Sequence, residues 1–206
     1  MEAIFWPPDP VPDGAVPITE ANLAILVGLS GVGKSSLIAG LGLPALPDRR
    51  EVVDRLISLE FGMAPPRERE GRFAITRRYR EIHPGGVAFG LFSAWVMPQP
   101  ILLFDGLRGA EESQFALDHY PKARFLVLEA PPELRVRRIA GRGDSFDQIS
   151  PGDLSRAQAI VREEEENYSS LGAREALWGQ PRALFLDTAT LSLAQEITLA
   201  QEFLNG

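Results

Sequence analysis

One glycine-rich stretch decides how the rest of this sequence is interpreted: Val27-Gly28-Leu29-Ser30-Gly31-Val32-Gly33-Lys34-Ser35-Ser36. It matches the pattern G-x-x-x-x-G-K-[ST] in full. Leu23–Val27 before it is an apolar run typical of a buried strand, and Ser36–Leu41 after it is typical of the first turns of a helix. A strand, a glycine-rich loop and a helix in this order predict a phosphate-binding loop.

Each residue type in this loop suits the binding of phosphate groups. Glycines allow the backbone to approach a phosphate closely, and the N–H groups of the loop and of the following helix form an anion site. Lys34 would reach the β- and γ-phosphates, and the Ser35 hydroxyl would be a ligand of Mg²⁺. The residues expected to contact the nucleotide are Gly28, Ser30, Gly31, Val32, Gly33, Lys34, Ser35 and Ser36. The loop therefore predicts ATP or a similar nucleotide, with Mg²⁺, as the bound cofactors.

Length and composition narrow the classes of protein. The 206 residues suit one three-layer α/β domain with a modest insertion. The net charge of −7 argues against broad electrostatic binding to nucleic acid or to anionic membranes, although a local basic groove stays open because the arginines are unevenly spread. The absence of cysteine excludes disulfides, thiolate metal sites and cysteine nucleophiles. No apolar run approaches the ~18 residues of a membrane span, and no signal-peptide pattern is evident, so we expect a cytoplasmic protein.

A second informative stretch is Pro100–Gly106, in which four apolar residues precede Asp105. This pattern predicts a parallel strand that is buried on both faces and carries a carboxylate at its C-terminal end, where ligands bind in such sheets. Asp105 is therefore the best candidate to hold Mg²⁺ opposite Ser35. The alternative is an aspartate that caps the following turn.

The remaining segments alternate between strand and helix patterns. We predict strands at Arg124–Ala130 and Ala183–Asp187, and helices at Asp48–Ile57, Pro131–Gly143, Ser155–Tyr168 and Leu191–Leu204. Such alternation indicates βαβ units, and hence a parallel sheet with helices on both faces. The run Glu163–Glu166 is interpreted as solvated surface and not as a metal site.

Two segments are harder to assign. Residues 1–20 contain five prolines and predict an extended lead-in that Trp6 could anchor, with a peptide docking arm as the alternative. Pro65–Arg72 is a charged stretch that we expect to be mobile. Phe73–Arg80 is a short apolar run with three arginines, which we expect to contact an anion; a solvated edge strand is the alternative.

The chain resembles the nucleotide-kinase branch of the P-loop phosphotransferases, with guanylate kinase and ribose bisphosphate phosphokinase as the nearest patterns, over residues 23 to 165. The phosphate loop, the Thr-Arg segment Ile75–Arg80, the segment Tyr120–Phe125 and the arginine-bearing stretch Pro131–Gly143 are similar to theirs. Asp105–Gly109 resembles the strand end of dephospho-coenzyme-A-kinase-like proteins. The segment His83–Phe89 lacks the acid and tyrosine with which guanylate kinases read guanine, so the resemblance does not extend to guanine recognition.

The resemblance implies a P-loop kinase domain over 21–206, with an acceptor-binding region at about 42–90 and a lid at about 133–150. It implies that Arg138 and Arg142 contact the triphosphate, so that Lys34, Asp105, Arg138 and Arg142 form the catalytic set. It also implies that Arg77 and Arg80 bind the phosphate of an acceptor.

Three functions are compatible with these residues. The first is an ATP- and Mg²⁺-dependent phosphotransferase that acts on a small phosphorylated acceptor, such as a nucleotide or a sugar phosphate. The second is a kinase that phosphorylates a hydroxyl group, including the 5′-hydroxyl of a polynucleotide. Such a kinase would need a general base, for which Asp48 and Asp54 are candidates. The third is a nucleotide-dependent switch or ATPase without a small-molecule acceptor, for which the apolar stretch Phe89–Trp95 could serve as a partner surface.

Overall fold

The computed structural model describes residues 4–142 and 149–206 of the chain. The strands are β1 (Ile4–Phe5), β2 (Val16–Pro17), β3 (Leu23–Val27), β4 (Trp95–Val96), β5 (Leu102–Leu107), β6 (Arg124–Glu129) and β7 (Ala183–Asp187). The helices are α1 (Lys34–Leu41), α2 (Arg49–Phe61), α3 (Arg69–Ile82), α4 (Gly86–Leu91), α5 (Ala110–His119), α6 (Pro132–Arg142), α7 (Leu154–Tyr168), α8 (Ser170–Leu177) and α9 (Leu193–Asn205). The predicted helices and strands agree with these elements to within two residues at each end, with three exceptions. Helix α2 continues four residues beyond the predicted Ile57, Phe73–Arg80 is not a strand, and Gly143 is outside the described residues.

The central feature is a parallel sheet of four strands in the order β5-β3-β6-β7. Alternate residues of β3 point to opposite faces, so that Ile25 packs in one hydrophobic core and Leu26 in the other. Helices α2, α4, α5 and α8 contribute to the first core, and α1 and α9 to the second. The predicted three-layer α/β architecture, with helices on both faces of a parallel sheet, is therefore confirmed.

The proline-rich lead-in is attached to the domain by a small antiparallel sheet. Strands β1 and β2 each pair with β4, which lies between them. Both proline-flanked strands are therefore edge strands, the position in which proline is tolerated because it has no N–H to donate. Trp6 is buried and donates its indole N–H to the carbonyl oxygen of Gly90 at 3.2 Å, which confirms it as the anchor of this segment.

The alternative of a solvated edge strand at Phe73–Arg80 is wrong, because these residues lie within α3. The buried side chains of this helix, Thr76 and Tyr79, are three residues apart, as one face of a helix requires. The charged stretch before it is also shorter than expected, since Arg69–Arg72 already belong to the helix. A segment rich in arginine and glutamate has good intrinsic helix propensity, and this outweighed the short apolar run.

The expectation that Glu163–Glu166 is solvated surface holds for only part of the run. Glu166 is exposed, whereas Glu164 is only 1% exposed.

Within the described ranges, no helix is both long enough and apolar enough to cross a lipid bilayer. The segment proposed as a lid, about 133–150, includes residues 143–148, which lie outside the described part of the chain.

Candidate nucleotide-binding and phosphotransfer site

A cavity of about 710 Å³ is lined by the phosphate loop, the C-terminal half of β5 and the first turns of α2 and α3. Its cationic lining side chains are Lys34, Arg49, Arg50, Arg69, Arg72, Arg108, Arg138 and Arg142, and its acidic ones are Asp48, Asp105, Glu164 and Glu196. Among the described residues, cationic side chains thus outnumber acidic ones here by two to one, in a chain whose net charge is −7. The cavity is therefore suited to ligands that carry several negative charges.

The glycines of the loop allow other elements to approach its backbone closely. Gly31 has a φ of +83°, and a Cβ atom at this position would lie 2.8 Å from the carbonyl oxygen of Arg135 in α6. Gly28 has a φ of +146°, and a Cβ atom there would lie 2.7 Å from the carbonyl oxygen of Leu128 in β6. Any side chain would force these neighbours apart, so the loop can take this shape only with glycine at both positions.

Lys34 is the first residue of α1 and is buried. Its Nζ atom donates to the carbonyl oxygens of Gly28 at 2.8 Å and Leu29 at 3.0 Å, and lies 3.8 Å from Oδ1 of Asp105. Burial lowers the pKa of Lys34, and Arg108 acts in the same direction, while Asp105 opposes the shift. An anion that enters the cavity would stabilise this buried ammonium group.

Ser35 and Asp105 line the same cavity as Lys34, although they are 70 residues apart in the chain. The hydroxyl and the carboxylate are the hard oxygen ligands that Mg²⁺ prefers. Asp105 of β5 is paired with Leu26 of β3. The phosphate loop begins at the next residue of β3, Val27. The strand pairing therefore places Asp105 beside the residue that precedes the phosphate loop, and Ser35 and Asp105 both line the cavity. As hard oxygen donors, they fit Mg²⁺.

Arg138 lies across the phosphate loop. Its guanidinium donates to the carbonyl oxygens of Gly31 at 3.3 Å and Val32 at 3.1 Å, and to both oxygens of Thr188 at 2.7 Å. Arg142, at the end of α6, is exposed and also lines the cavity. Both arginines thus reach the cavity in which the sequence placed the triphosphate.

Glu164 is a site residue that the sequence analysis missed. Its carboxylate accepts from the backbone N–H of Ser30 at 2.8 Å, from the Ser30 hydroxyl at 2.7 Å and from Arg108 at 2.9 Å. The signal was present in the helical period: Ala157, Val161, Glu164 and Tyr168 recur at intervals of three and four residues, and all are buried. Reading the four consecutive glutamates as one charged surface concealed this spacing.

The charge of Glu164 has a consequence for stability. Burial acts to raise the pKa of Glu164, but Arg108, the hydrogen bonds from Ser30 and Lys34 outweigh it, so that the pKa falls from 4.5 to about 2. A carboxyl group with a depressed pKa stabilises the folded state above its unfolded pKa, and this stability is lost as the pH falls from 4.5 towards 2.

We therefore expect the free energy of unfolding to fall by about 2 kcal/mol more in the wild type than in Glu164→Gln between about pH 6 and pH 3. Urea denaturation followed by circular dichroism measures this difference. Glu166→Gln, an exposed substitution two residues away, should keep the pH dependence of the wild type. An equal slope for the wild type and Glu164→Gln would contradict the depressed pKa.

The part of the cavity formed by α2 and α3 is organised by a buried ion pair. Arg49 donates to both carboxylate oxygens of Glu112 at 2.7 Å and also donates to the carbonyl oxygen of Gly106. Glu112 in turn accepts from the backbone N–H groups of Arg108 at 2.8 Å and Val87 at 3.3 Å. The pair fixes the start of α2 against the end of β5, so it has a structural role beside the cavity.

Arg77, Arg80 and Asp54, which the sequence assigned to the acceptor, do not line this cavity. Arg77 donates to the side chain of Asn167 at 3.0 Å, and Arg80 donates to the Asn167 carbonyl oxygen at 2.9 Å. Asp54 pairs with Arg72. In a helix, side chains one residue apart point in different directions, and the face of α3 that meets the cavity carries Arg69, Arg72, Phe73 and Thr76 instead.

Comparisons with known proteins show similarity in sequence and in fold. No protein-family model matches the chain. A protein named UPF0200 from Methanoculleus marisnigri is 29% identical over 168 residues, which cover 77% of this chain and 80% of that protein. Among solved structures, shikimate kinase from Acinetobacter baumannii in complex with shikimate has a TM-score of 0.51 at 20% identity, covering 91% of this chain and 93% of that one. A sulfotransferase from Alicyclobacillus acidocaldarius has a TM-score of 0.51 at 16% identity, covering 90% and 81%.

At these identities the similarity shows the fold. The chain has the P-loop fold of shikimate kinase. The resemblance to P-loop kinases that the sequence indicated is therefore confirmed at the level of the fold.

Proposed function

We propose that this protein is an ATP- and Mg²⁺-dependent phosphotransferase whose acceptor is a small phosphorylated molecule, a nucleotide or a sugar phosphate. One observation carries the proposal: the phosphate loop and a separate group of arginines, Arg50, Arg69 and Arg72, line one cavity. The phosphate loop suits the triphosphate of the donor, and the arginines suit an acceptor that already carries a phosphate.

On the donor side, the loop amides, Lys34 and Arg138 would neutralise the charge of the triphosphate. Arg142 would join them from the end of α6. Ser35 and Asp105 would hold Mg²⁺. When bound, the ion would neutralise charge on the phosphate oxygens and so reduce their repulsion of the incoming nucleophile. Phosphoryl transfer needs positioning and charge neutralisation more than covalent help from the protein, and these residues supply both.

On the acceptor side, the first turns of α2 and α3 contribute Arg50, Arg69 and Arg72 to the cavity, besides Arg49, which is paired with Glu112. Guanidinium groups bind phosphates through paired hydrogen bonds, which fix the orientation of the acceptor as well as its position. These arginines replace Arg77 and Arg80 in the acceptor site that we propose, since Arg77 and Arg80 point to Asn167.

A hydroxyl acceptor is the second candidate, and one observation favours it. Asp48 lines the cavity, as a general base for a hydroxyl group would have to. Its Oδ1 atom already accepts from the backbone N–H of Glu51 at 2.9 Å, so it also caps α2. Asp54, the other candidate base, pairs with Arg72 and does not itself line the cavity.

The test is ADP release from Mg·ATP, measured alone and then with nucleoside monophosphates, sugar phosphates, dephospho-coenzyme A, shikimate and 5′-hydroxyl oligonucleotides. Stimulation by a phosphorylated small molecule is the expected result. Stimulation only by acceptors without a phosphate would favour the hydroxyl kinase. Steady turnover that no acceptor changes, or tight binding without turnover, would replace the proposal with an ATPase or a nucleotide-dependent switch.

We expect Arg50→Ala to raise the KM of the phosphorylated acceptor about tenfold or more while changing the KM of ATP less than threefold, because a charged hydrogen bond contributes about 1.5–3 kcal/mol. Steady-state kinetics with each substrate varied in turn measure both constants. The matched control is Arg55→Ala on the same helix, since Arg55 pairs with Asp9 outside the cavity. A larger effect of Arg77→Ala than of Arg50→Ala would return the acceptor phosphate to the residues that the sequence indicated.

A further inference from the structure

The four glutamates Glu163–Glu166 divide between two environments. Glu166 is exposed and pairs with Arg162 one turn away, at 3.2 Å. Glu164 is 1% exposed and faces the phosphate loop. An ionised carboxylate at such a position has to be compensated by several donors, since a buried charge without partners is costly. The partners of Glu164 therefore indicate what the residue does.

Those partners come from three separate elements. Ser30 of the loop donates twice, Arg108 after β5 donates at 2.9 Å, and Arg135 of α6 donates at 3.4 Å. Arg135, which is 2% exposed, also donates from Nε to the carbonyl oxygen of Ser30 at 2.9 Å. The backbone N–H, the hydroxyl and the carbonyl oxygen of Ser30 are thus all held by the Glu164–Arg135 pair.

The same carboxylate acts on the charges of the cavity. Arg108 lines the cavity and lowers the pKa of Lys34, whereas Glu164 acts to raise it. Pairing with Glu164 fixes the guanidinium of Arg108 next to the loop and partly offsets its effect on Lys34. One side chain therefore controls both the shape of the loop at Ser30 and the position of a neighbouring cation.

We propose that Glu164 is a positioning residue for nucleotide binding: its carboxylate, together with Arg135, holds Ser30 so that the phosphate loop keeps its binding conformation, and it holds Arg108 at the edge of the cavity. This inference rests on the proposed function, because it assigns a role in the same site. It adds α7 to the elements that form the nucleotide site, through a residue 134 positions from Ser30 in the chain.

Two substitutions separate the effect of the charge of Glu164 from the effect of its side-chain length. Glu164→Asp keeps the charge, so the buried arginines keep an anionic partner, but withdraws the carboxylate by about 1.5 Å, the length of one carbon–carbon bond. Hydrogen bonds of 2.7 and 2.8 Å to Ser30 cannot survive this change without movement of the loop. Glu164→Gln keeps the side-chain length but removes the charge. It also replaces one carboxylate oxygen with an NH₂ group, a donor that would face the donors of Ser30 and Arg108.

The readout is the Kd of Mg·ADP, measured by calorimetry at a temperature at which circular dichroism shows each variant folded. We expect Glu164→Asp and Glu164→Gln each to raise the Kd about tenfold or more, as expected when charge-assisted hydrogen bonds to the loop are lost. If Glu164→Gln does not fold, Glu164→Asp alone decides. Glu166→Asp and Glu166→Gln, matched controls from the same run, should stay within twofold of the wild type.

A purely structural role would lower the melting temperature of both variants while leaving the Kd of the folded protein unchanged. The inference is therefore overturned if folded Glu164→Asp binds Mg·ADP within twofold of the wild type, or if the Glu166 variants weaken binding as much. Combining Glu164→Asp with Ser30→Ala should raise the Kd by less than the product of the two single effects, since both remove the same contact.

Failure of the proposed function is a different result. A wild type that binds Mg·ADP but transfers no phosphate to any acceptor would end the kinase proposal, and the Kd values would still decide the role of Glu164. A wild type that does not bind Mg·ADP at all would overturn both.

Discussion

Lys34→Ala is expected to lower the kcat of phosphoryl transfer by about three orders of magnitude, the scale of effect seen when a preorganised group that stabilises transition-state charge is removed. Lys34 is the buried cation at the start of α1, and its Nζ atom lies among Gly28, Leu29 and Asp105. Two neighbouring cations are held elsewhere, since Arg138 donates to Thr188 and the loop, and Arg108 to Glu164, so neither is placed to take over the position of Nζ.

The measurement is acceptor-stimulated ADP release at saturating Mg·ATP, with the acceptor identified by the panel described above. The control is Lys122→Ala, which removes the only other lysine of the chain. Lys122 is exposed and donates to the carbonyl oxygen of Glu20, away from the cavity. Activity of Lys34→Ala within a few-fold of the wild type would rule out the loop as the phosphate-binding site.

Asp105→Asn is expected to raise the Mg²⁺ concentration needed for half-maximal activity at least about tenfold, and to lower kcat by about two orders of magnitude, because an amide oxygen is a weaker ligand than a carboxylate. The substitution keeps the size of the side chain. It also removes the carboxylate 3.8 Å from Lys34 that raises the lysine's pKa. The expected defect is therefore partly rescued by high Mg²⁺, which distinguishes it from the defect of Lys34→Ala.

A titration of activity with MgCl₂ at fixed ATP measures the effect. Asp118→Asn is the control, since Asp118 accepts from Gln114 on the exposed side of α5. An unchanged Mg²⁺ titration for Asp105→Asn would remove Asp105 from the metal site and leave it as a residue that caps the turn after β5.

The parts of the fold that the sequence predicted are those in which neighbouring residues carry the whole signal. Leu23–Val27 is an unbroken apolar run, and β6 contains the apolar run Phe125–Leu128; such runs form strands that are buried on both faces of a parallel sheet. The helix α2 has Asp48 as its N-cap and the buried Val52, Leu56 and Ile57 at helical spacing. These elements were predicted because local pattern and tertiary environment agree.

The segment 73–80 shows where local signals compete. Phe73, Ile75 and Tyr79 read as alternating strand residues in a short window, whereas Thr76 and Tyr79 form the buried face of a longer helix. The choice between these two periods depends on residues outside the window, including Arg69–Arg72, which begin the helix. The direction of each arginine follows from that choice, so the short window alone could not place Arg77.

The sequence by itself determined the phosphate loop, the carboxylate in the C-terminal half of β5 and the parallel sheet that joins them, because each depends on residues that are adjacent or at a fixed short spacing. Only the tertiary structure decided which arginines line the cavity and that Glu164 holds Ser30. The physical reason is distance along the chain: Ser30 and Glu164 meet across 134 residues. Such contacts depend on how α3, α6 and α7 pack around the sheet, and no short pattern in the sequence records that packing.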